Sequence, residues 1–190
     1  MPIARPTAEI RGHRVVVRRY SLSDAVQLHE AIIDSVEHLV PWMPWAALEP
    51  LELSDRERLI ADWVEKWMSG EDFNFGVFRD EGLVGGCGLH KRVGDRGLEI
   101  GYWTRVTEIR RGFATEAAGC LLEAAFSMSD IDFVEVHHDV ANTASGRVPE
   151  RLGFRLVEER VDAVAAPAEI GTERVWRLDR DDWFRSRRDD

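Results

Sequence analysis

Three strand-like segments follow one another between Phe73 and Arg105, and they constrain the fold more than any other feature of the sequence. The segments cover residues 73–79, 83–92 and 97–105, with Gly and Asp residues in the two connections between them. Strand-like patterns bounded by tight-turn residues predict an antiparallel meander. The chain is therefore expected to build a sheet with helices on its faces.

Helical and strand-like patterns flank the meander on both sides. Helices are predicted from apolar spacing and end signals over residues 21–38, 54–70, 112–128 and 142–152. Further strands are predicted over residues 13–20, 132–138, 153–157 and 172–178, and residues 39–45, with two prolines, are predicted to form a loop. This order indicates an α/β fold with a mixed sheet. The length suits a single domain, placed at residues 1–184, with a disordered tail at residues 185–190.

The composition is that of a folded, acidic protein. Of the 190 residues, 44% are hydrophobic and 32% are charged, and the formal net charge is −10. This charge disfavours nucleic acids and anionic membranes as partners and favours cationic small molecules or basic peptides. No segment has the apolar length of a membrane span, and the N-terminus lacks the apolar stretch of a signal peptide, so the expected location is the cytoplasm.

Cysteine and histidine residues do not form a recognisable metal motif. Cys87 and Cys120 lack the C-x-x-C spacing of zinc and redox sites, and both are predicted to be free thiols in the core. His137, His138 and Asp139 are consecutive, but neighbouring residues of a strand point to opposite faces. We therefore predict no metal.

The segment Arg110-Arg111-Gly112-Phe113-Ala114-Thr115 lies where a strand gives way to a helix. The first N–H groups of a helix have no partner within it and carry the positive end of its dipole, so they bind phosphate oxygens when no large side chain blocks the approach. Gly112 and Ala114 leave that approach open, and Arg110 and Arg111 add positive charge. A solvated arginine pair at the start of a helix is the alternative interpretation.

The strand, the R-x-G-x-A turn, the amphipathic helix and the next strand are followed by Asn142-x-x-Ser145 and Leu152-Gly153-Phe154. This combination resembles the GNAT acetyltransferase superfamily over residues 14–178, in which such a turn grips the pyrophosphate of acetyl-CoA. The resemblance implies a mostly antiparallel sheet of about six to seven strands, splayed at the cofactor site and flanked by about four helices. It also implies acetyl-CoA as the co-substrate.

Three further segments, at residues 38–45, 98–103 and 112–117, resemble the RimJ/RimL branch of that superfamily. Enzymes of this branch acetylate the N-terminal amines of proteins, relatives acetylate small molecules, and related enzymes are often dimers. The resemblance therefore implies an N-acetyltransferase acting on an amine-bearing peptide, protein or small molecule, and it leaves a homodimer open. Asn142 is expected to bond the pantetheine arm, to cap its helix, or both, and the backbone of Tyr102, Trp103 and Thr104 to pair with pantetheine.

The sequence departs from the family at two positions. The turn of the family usually begins with Gln or Arg, where this chain has Ile109, so one polar contact is in question while the backbone cradle is kept. The family often has a tyrosine acid four residues before the Gly-Phe pair, where this chain has Pro149. Ser145, on the same side of the short helix as Asn142, is then the predicted donor to the leaving thiolate, and a helix-surface serine is the alternative.

Transfer to an amine requires a neutral nitrogen. Neutralising an α-amine of pKa about 8 at pH 7 costs about 1.4 kcal/mol, against about 4.6 kcal/mol for a lysine amine of pKa about 10.4, so an α-amine is the easier acceptor. Glu99, on the strand before the turn, lies where some GNAT enzymes keep their general base. It is predicted to take the proton, directly or through water, and a glutamate bonded to a neighbouring strand is the alternative.

Trp42, Met43 and Trp45 are predicted to form the wall of the acceptor site, because aromatic faces attract ammonium groups; core packing is the alternative. Three functions stay open: acetylation of protein N-termini, acetylation of a small amine such as an antibiotic or polyamine, and acyl-CoA binding without turnover. The length of the acyl group and the oligomeric state stay open as well.

Overall fold

The computed structural model describes residues 4–80 and 82–187, and an eight-stranded sheet forms its centre. The strands are β1 Glu9–Arg11, β2 Val16–Arg19, β3 Asp72–Arg79, β4 Gly82–His90, β5 Gly97–Thr104, β6 Phe133–Asp139, β7 Arg155–Val161 and β8 Thr172–Asp179. The helices are α1 Ala25–Ile33, α2 Val36–Leu39, α3 Leu53–Ser69, α4 Phe113–Ser127, α5 Thr143–Arg151 and α6 Arg180–Ser186. Short 3₁₀ helices lie at Leu22–Asp24, Pro44–Leu48 and Val106–Glu108.

The strand order is β1-β2-β3-β4-β5-β6-β8-β7. The first five strands lie side by side in chain order, each antiparallel to the next, and β3 to β5 are the meander that the sequence predicts. The chain then crosses through α4 and places β6 parallel to β5, and β8 lies between β6 and β7, antiparallel to both. This is the mixed, mostly antiparallel α/β sheet that the sequence indicates, so the predicted fold class is confirmed.

The main hydrophobic core includes the buried face of α4 and the apolar residues of the sheet. Ala117, Ala118 and Ala125 let the helix approach the strands closely, and Leu121 and Leu122 are fully buried. Each buried leucine stabilises the fold by about 1.5–3 kcal/mol. A second cluster joins α1 and α3 to the sheet.

The two cysteines lie in the core as free thiols, as predicted. Burial raises the pKa of the Cys120 thiol to about 11 and also raises that of Cys87, so neither is a thiolate near neutral pH. Among residues 4–80 and 82–187, no helix is both long and apolar enough to cross a membrane.

The prediction of a continuous first helix to His38 is wrong, because the helix breaks between α1 and α2. Ser35 is fully buried at the break, where its hydroxyl donates to the carbonyl of Ala31 at 2.7 Å and accepts from the N–H of Val106 at 2.9 Å. A serine that bonds back to the preceding turn bends a helix. Because Val106 follows β5, the break also ties these helices to the segment before α4.

Two elements near the ends of the chain account for further differences from the sequence predictions. The strand β1 has three residues, too few for a periodic pattern, and α6 follows β8 directly. Within the described residues the sheet therefore has eight strands rather than about six to seven.

The predicted disordered tail is wrong for Arg185 and Ser186, which lie in α6, where Trp183 packs on Phe126 with ring centroids 6.2 Å apart. Residues 188–190 of that tail lie outside the described part of the chain.

The helix count also differs, since six α-helices are present in the described residues rather than about four. The break at Ser35 and the presence of α6 account for the two extra helices. Residues 39–45, predicted to form a loop, end in the 3₁₀ helix that begins at Pro44. Proline at the first position of a helix lacks only an N–H that would have no partner there.

His138 is buried at the contact of β6 with β8 and α5. Its Nε2 accepts from the indole N–H of Trp176 at 3.0 Å, and its Nδ1 lies 2.7 Å from the carbonyl oxygen of Asp139. The ring is therefore neutral, with its proton on Nδ1. A Cβ at Gly146 would lie 2.9 Å from this ring, so α5 rests directly on it. Burial lowers the pKa of His138 below its ordinary value.

We expect the protein to lose stability as the pH falls below about 6.5, the ordinary pKa of histidine, because the unfolded chain then takes up a proton at this position before the folded chain does. The stabilisation is complete above that pH and declines toward the lowered pKa of folded His138. Urea unfolding at pH 7.5 and pH 5.5 measures the loss. The loss should be smaller in His138→Gln and unchanged in His13→Gln, an exposed control; equal losses in all three proteins would contradict the assignment.

Candidate active site

The pairing of β5 with β6 ends early. Parallel pairs run from Gly97 with Phe133 to Glu99 with Glu135, whereas β5 continues to Thr104. Beyond Glu99, β5 keeps its pairing with β4, and β6 keeps its pairing with β8. The sheet is therefore splayed between β5 and β6, as the resemblance implies.

A cavity of about 750 Å³ lies at this gap, a volume within the usual range of small-molecule sites. Its lining comes from β3 to β6, the start of α5, the segment between α2 and α3, and the connection between β7 and β8. Tyr102 and Trp103 line the cavity, and Thr104 ends the strand beyond them. The edge of β5 predicted to pair with pantetheine thus borders the gap.

The predicted phosphate turn has the backbone geometry of an anion cradle. Gly112 precedes the first residue of α4 with φ +82°, and Arg110 has φ +61°. No side chain of the described residues caps this helix, so its first N–H groups point out of the helix end without a partner inside it. The side chains of Arg110 and Arg111 are exposed beside the turn. The turn therefore presents backbone donors, a position without a Cβ, and two cations.

Arg14, which precedes β2, stabilises this turn. It donates to the carbonyl of Arg111 and to the carboxylate of Glu116, each at 2.9 Å, and its guanidinium carbon lies 5.0 Å from the Phe113 ring centroid. Although burial raises the pKa of Glu116, hydrogen bonds from Arg14 and Val15 hold it below the ordinary value. The pair neutralises a carboxylate that would otherwise repel an anion at the start of α4.

Ser145, the predicted acid, lies on the first turn of α5 and bonds to Tyr102. The Tyr102 hydroxyl donates to the carbonyl oxygen of Ser145 at 2.8 Å and lies 3.1 Å from its hydroxyl. Pro149, four residues further along the helix, has no N–H to give to that carbonyl. The phenol takes the place of the missing backbone donor. Burial raises the pKa of Tyr102, so the phenol keeps its proton.

Asn142 and Glu99 lie in the same cavity as Ser145. Asn142 caps α5 by accepting from the N–H of Ser145 at 3.1 Å, one of the two roles that the sequence predicts for it. Glu99 has a side chain 14% exposed, and its two oxygens accept from Arg92 at 2.9 and 3.1 Å. This bidentate pair fixes the orientation of the carboxylate beside the cavity.

His90, the last residue of β4, lies directly across the strand pair from Glu99. Its Nδ1 lies 2.6 Å from a carboxylate oxygen of Asp72 on β3. The ring covers two glycines, since a Cβ at Gly88 would come within 2.7 Å of Nε2 and one at Gly101 within 3.3 Å. Because these two positions have no side chains, the imidazole can lie directly against the sheet.

The predicted acceptor wall lines the cavity. Trp42, Met43 and Trp45 are all part of the lining, and Trp45 packs edge-on against Trp103 with centroids 6.2 Å apart. Trp42 and Met43 are half-buried and Trp45 is exposed, and their contact with an acceptor stays a prediction.

The charged residues in the rest of the lining are mainly acidic. Glu49 pairs with Arg56 at 2.7 Å, and both side chains are almost fully buried. The Tyr20 hydroxyl has no hydrogen-bond partner among the described residues. Carboxylates outnumber guanidinium groups in the lining, which includes Glu49, Asp72, Glu99, Asp139, Glu169 and Glu173 but only Arg56 and Arg92. Such a wall favours a cationic occupant.

His137 and His138 point to opposite faces of β6, as the sequence predicts. His137 lies 2.8 Å from Glu135 and 3.4 Å from Glu173, whereas His138 faces Trp176. Over residues 4–80 and 82–187, no cluster of three or more His, Cys, Asp or Glu side chains is arranged to hold a metal ion.

Sequence reasoning missed His90, Asp72 and the Tyr102 hydroxyl. The hairpin of β3 and β4 is predicted, but a register shift between Val77 and Phe78 moves the pairing by one residue, and only with that shift does Asp72 lie opposite His90. The contact of Tyr102 with Ser145 spans 43 residues, and no local pattern carries it. Arg14 is 97 residues from the carbonyl of Arg111 that it binds.

Comparison with known proteins gives consistent matches. Residues 14–155 match the family model of the Acetyltransferase (GNAT) domain. The chain is similar to the candidate ribosomal N-acetyltransferase YdaF of Bacillus subtilis (strain 168), with 31% identity over 150 residues, covering 78% of this chain and 81% of that protein.

Solved structures match over nearly the whole chain. RimL, a ribosomal L7/L12 α-N-protein acetyltransferase in complex with coenzyme A, matches with a TM-score of 0.83 and 16% identity over 92% of this chain and 99% of that one. Mycobacterium smegmatis RimJ, in complex with a CoA disulfide, matches with a TM-score of 0.74 and 20% identity over 92% and 84%. At these identities the two structures show a shared fold.

We expect Gly112→Ala to weaken CoA binding about tenfold, because the free turn would relax away from a left-handed backbone that costs a residue with a Cβ about 1–2 kcal/mol, and CoA would have to restore that backbone to bind. The added Cβ would also lie 3.3 Å from the Arg14 guanidinium. Isothermal titration with CoA measures the effect. Gly94→Ala is the matched control, with φ +101° and open space around it, and it should keep wild-type affinity. Equal affinities in both variants would show that the turn does not hold the cofactor.

Proposed function

We propose that this chain, which belongs to the GNAT acetyltransferase family and resembles its RimJ/RimL branch, moves an acetyl group from acetyl-CoA to the N-terminal α-amine of a protein. The observation that carries the proposal is a single cavity that joins Asn142 and Ser145, on the side of the splayed strands, to an acidic and aromatic wall. A donor site and a cationic acceptor site in contact are what direct transfer between two bound molecules requires.

Acetyl-CoA fits the residues at the gap. The start of α4 has unpartnered N–H groups, and Gly112 presents no Cβ to an approaching phosphate. We assign the pyrophosphate to the turn at residues 110–115, and pantetheine to Asn142 and the edge of β5 at residues 102–104. When bound, acetyl-CoA supplies an acetyl group activated as a thioester.

A protein α-amine is the acceptor that we favour. Removing a proton from it at pH 7 costs about 3 kcal/mol less than removing one from a lysine amine. The acidic wall would attract its cationic form. RimL is named as an α-N-protein acetyltransferase of a ribosomal protein, and YdaF as a candidate ribosomal N-acetyltransferase. By similarity we propose the N-terminus of a ribosomal protein, with Trp42, Met43 and Trp45 packing against it. The cytoplasmic location stays a prediction.

Ser145 and Glu99 are the groups that we assign to the transfer itself. The Ser145 hydroxyl gives a proton to the leaving sulfur, and Tyr102 holds the residue in place through its carbonyl. Glu99 takes the proton that the nitrogen releases as the amide forms, and Arg92 keeps the carboxylate oriented. All four of these residues line the cavity.

The acceptor class can be decided by measuring thiol release with a panel of amines. We expect kcat/KM for peptides with a free α-amine to exceed that for the same peptides carrying a blocked N-terminus and an internal lysine by at least about 100-fold, in line with the difference of about 3 kcal/mol. Polyamines and aminoglycosides form the comparison arm. Faster turnover of these small amines would overturn the protein-acceptor proposal in favour of a small-molecule enzyme.

Loss of the proton donor should slow chemistry without weakening the cofactor. We expect Ser145→Ala to lower kcat about 100-fold, because general acid catalysis contributes at least about that factor, while the dissociation constant of CoA stays the same. Ser127→Ala is the matched control, since its hydroxyl only bonds the carbonyl of Ala124 near the end of α4. A kcat for Ser145→Ala within threefold of wild type would remove this residue from the mechanism.

A further inference from the structure

The acceptor nitrogen has to lose two protons, and Glu99 accounts for one of them. An α-amine of pKa about 8 arrives at pH 7 mainly as an ammonium, so one proton leaves before the nitrogen has a lone pair. The second leaves as the amide forms. In the balanced reaction one proton ends on the thiol and the other goes to solvent. The first loss calls for an acceptor that works near neutral pH.

His90 stands beside Glu99 in the same cavity. The two residues are directly opposite in the β4–β5 pair, and residues in such positions carry their side chains on the same face. The His90 side chain is 20% exposed, and it lines the cavity together with Asp72. The imidazole is therefore within the space that an acceptor amine would occupy.

Asp72 sets the tautomer of the His90 ring. Although burial raises the pKa of Asp72, hydrogen bonds from His90 and Asn74 hold it below the ordinary value, so the carboxylate is ionised. An ionised carboxylate only accepts, so Nδ1 of His90, 2.6 Å away, carries the proton. The lone pair of the neutral ring is then on Nε2. This nitrogen makes no hydrogen bond to the described residues and lies over Gly101.

The charges around His90 suit a group that gains a proton and gives it away. Asp72 on β3 and Glu99 on β5 bring negative charge to this part of the cavity, and Arg92, which is bound to Glu99, brings positive charge. The Glu49–Arg56 pair in the same cavity is neutral overall, and His137 is held by Glu135 and Glu173. A carboxylate behind the ring stabilises imidazolium without taking its proton.

We propose that the His90–Asp72 pair takes the first proton from the acceptor's ammonium and passes it to solvent, leaving the second proton to Glu99. In this step an N–H bond of the ammonium breaks, Nε2 forms a new N–H bond, and the electron pair stays on the acceptor nitrogen. The imidazolium then loses the proton to water. The inference rests on the proposed transfer to an amine.

The pH dependence of two variants distinguishes His90 from Glu99. We expect His90→Gln to lose about tenfold in kcat/KM at pH 7 and to recover most of it at pH 9, because the neutral fraction of an α-amine of pKa about 8 rises about tenfold between these pH values. Glu99→Gln should keep its deficit at both pH values. Asp72→Asn should lower kcat/KM at pH 7 toward the value of His90→Gln, because an amide can donate as well as accept and so does not keep the ring proton on Nδ1. A His90→Gln profile that matches wild type would overturn the proposal.

Chemical rescue distinguishes the loss of a proton acceptor from a structural effect of the substitution. His90→Ala opens a space above Gly88 and Gly101, which have no side chains to fill it. Added imidazole should restore most of the turnover that His90→Ala loses at pH 7 and should leave Glu99→Gln and the exposed control His13→Ala unchanged. CoA affinity should be equal in all of these proteins. Rescue of Glu99→Gln but not of His90→Ala would contradict the assignment.

Nuclear magnetic resonance of the protein without substrate tests the pair independently of turnover. Nitrogen-15 spectra should show His90 protonated on Nδ1 in the wild type, and a mixture of tautomers in Asp72→Asn. A wild-type His90 ring protonated on Nε2 would contradict the proposal. The kinetic arms use whichever amine the wild type acetylates fastest, so a small-amine preference would refute the protein acceptor while leaving the role of His90 to be judged separately.

Discussion

The early end of the pairing between β5 and β6 is the constraint on which the rest of the molecule depends. A sheet that stops pairing at Glu99 and Glu135 leaves backbone donors and acceptors along two strand edges, and these need other partners. The two halves of the sheet remain intact because β4 holds β5 and β8 holds β6. A ligand can therefore be bound with strand-like hydrogen bonds inside a folded core, which an edge strand at the surface could not offer.

Glycines on β4 and β5 determine which side chains can lie against the sheet in the cavity. A Cβ at Gly86 would meet the Trp103 indole at 2.4 Å and the Tyr20 hydroxyl at 2.9 Å, and a Cβ at Gly88 would meet His90. The middle of β4 thus lacks side chains, at a cost in backbone entropy, and this leaves room for the rings of Trp103, Tyr20 and His90. The same exchange explains why this strand has weak periodicity.

Sequence patterns predicted the features that local rules govern. The meander, the small-residue face of α4 and the turn at Gly112 follow from period, side-chain size and the conformational freedom of glycine. The break at Ser35 and the contact of Tyr102 with Ser145 depend on partners 71 and 43 residues away, which no window along the chain contains. The Asp72–His90 pair lies between these cases, since the hairpin is predicted from local residues but the register shift between Val77 and Phe78 that pairs the two residues is not.

The bond between Tyr102 and the Ser145 carbonyl fixes the direction of a short hydrogen-bond chain. Because the phenol has one proton and gives it to the carbonyl left without a donor by Pro149, its oxygen can only accept from the Ser145 hydroxyl. At rest the serine proton is therefore turned toward the tyrosine. Redirecting it to an anion in the cavity requires rotation about a single C–O bond and no movement of any heavier atom. The helix α5 can therefore stay rigid while the hydroxyl hydrogen of Ser145 changes its direction.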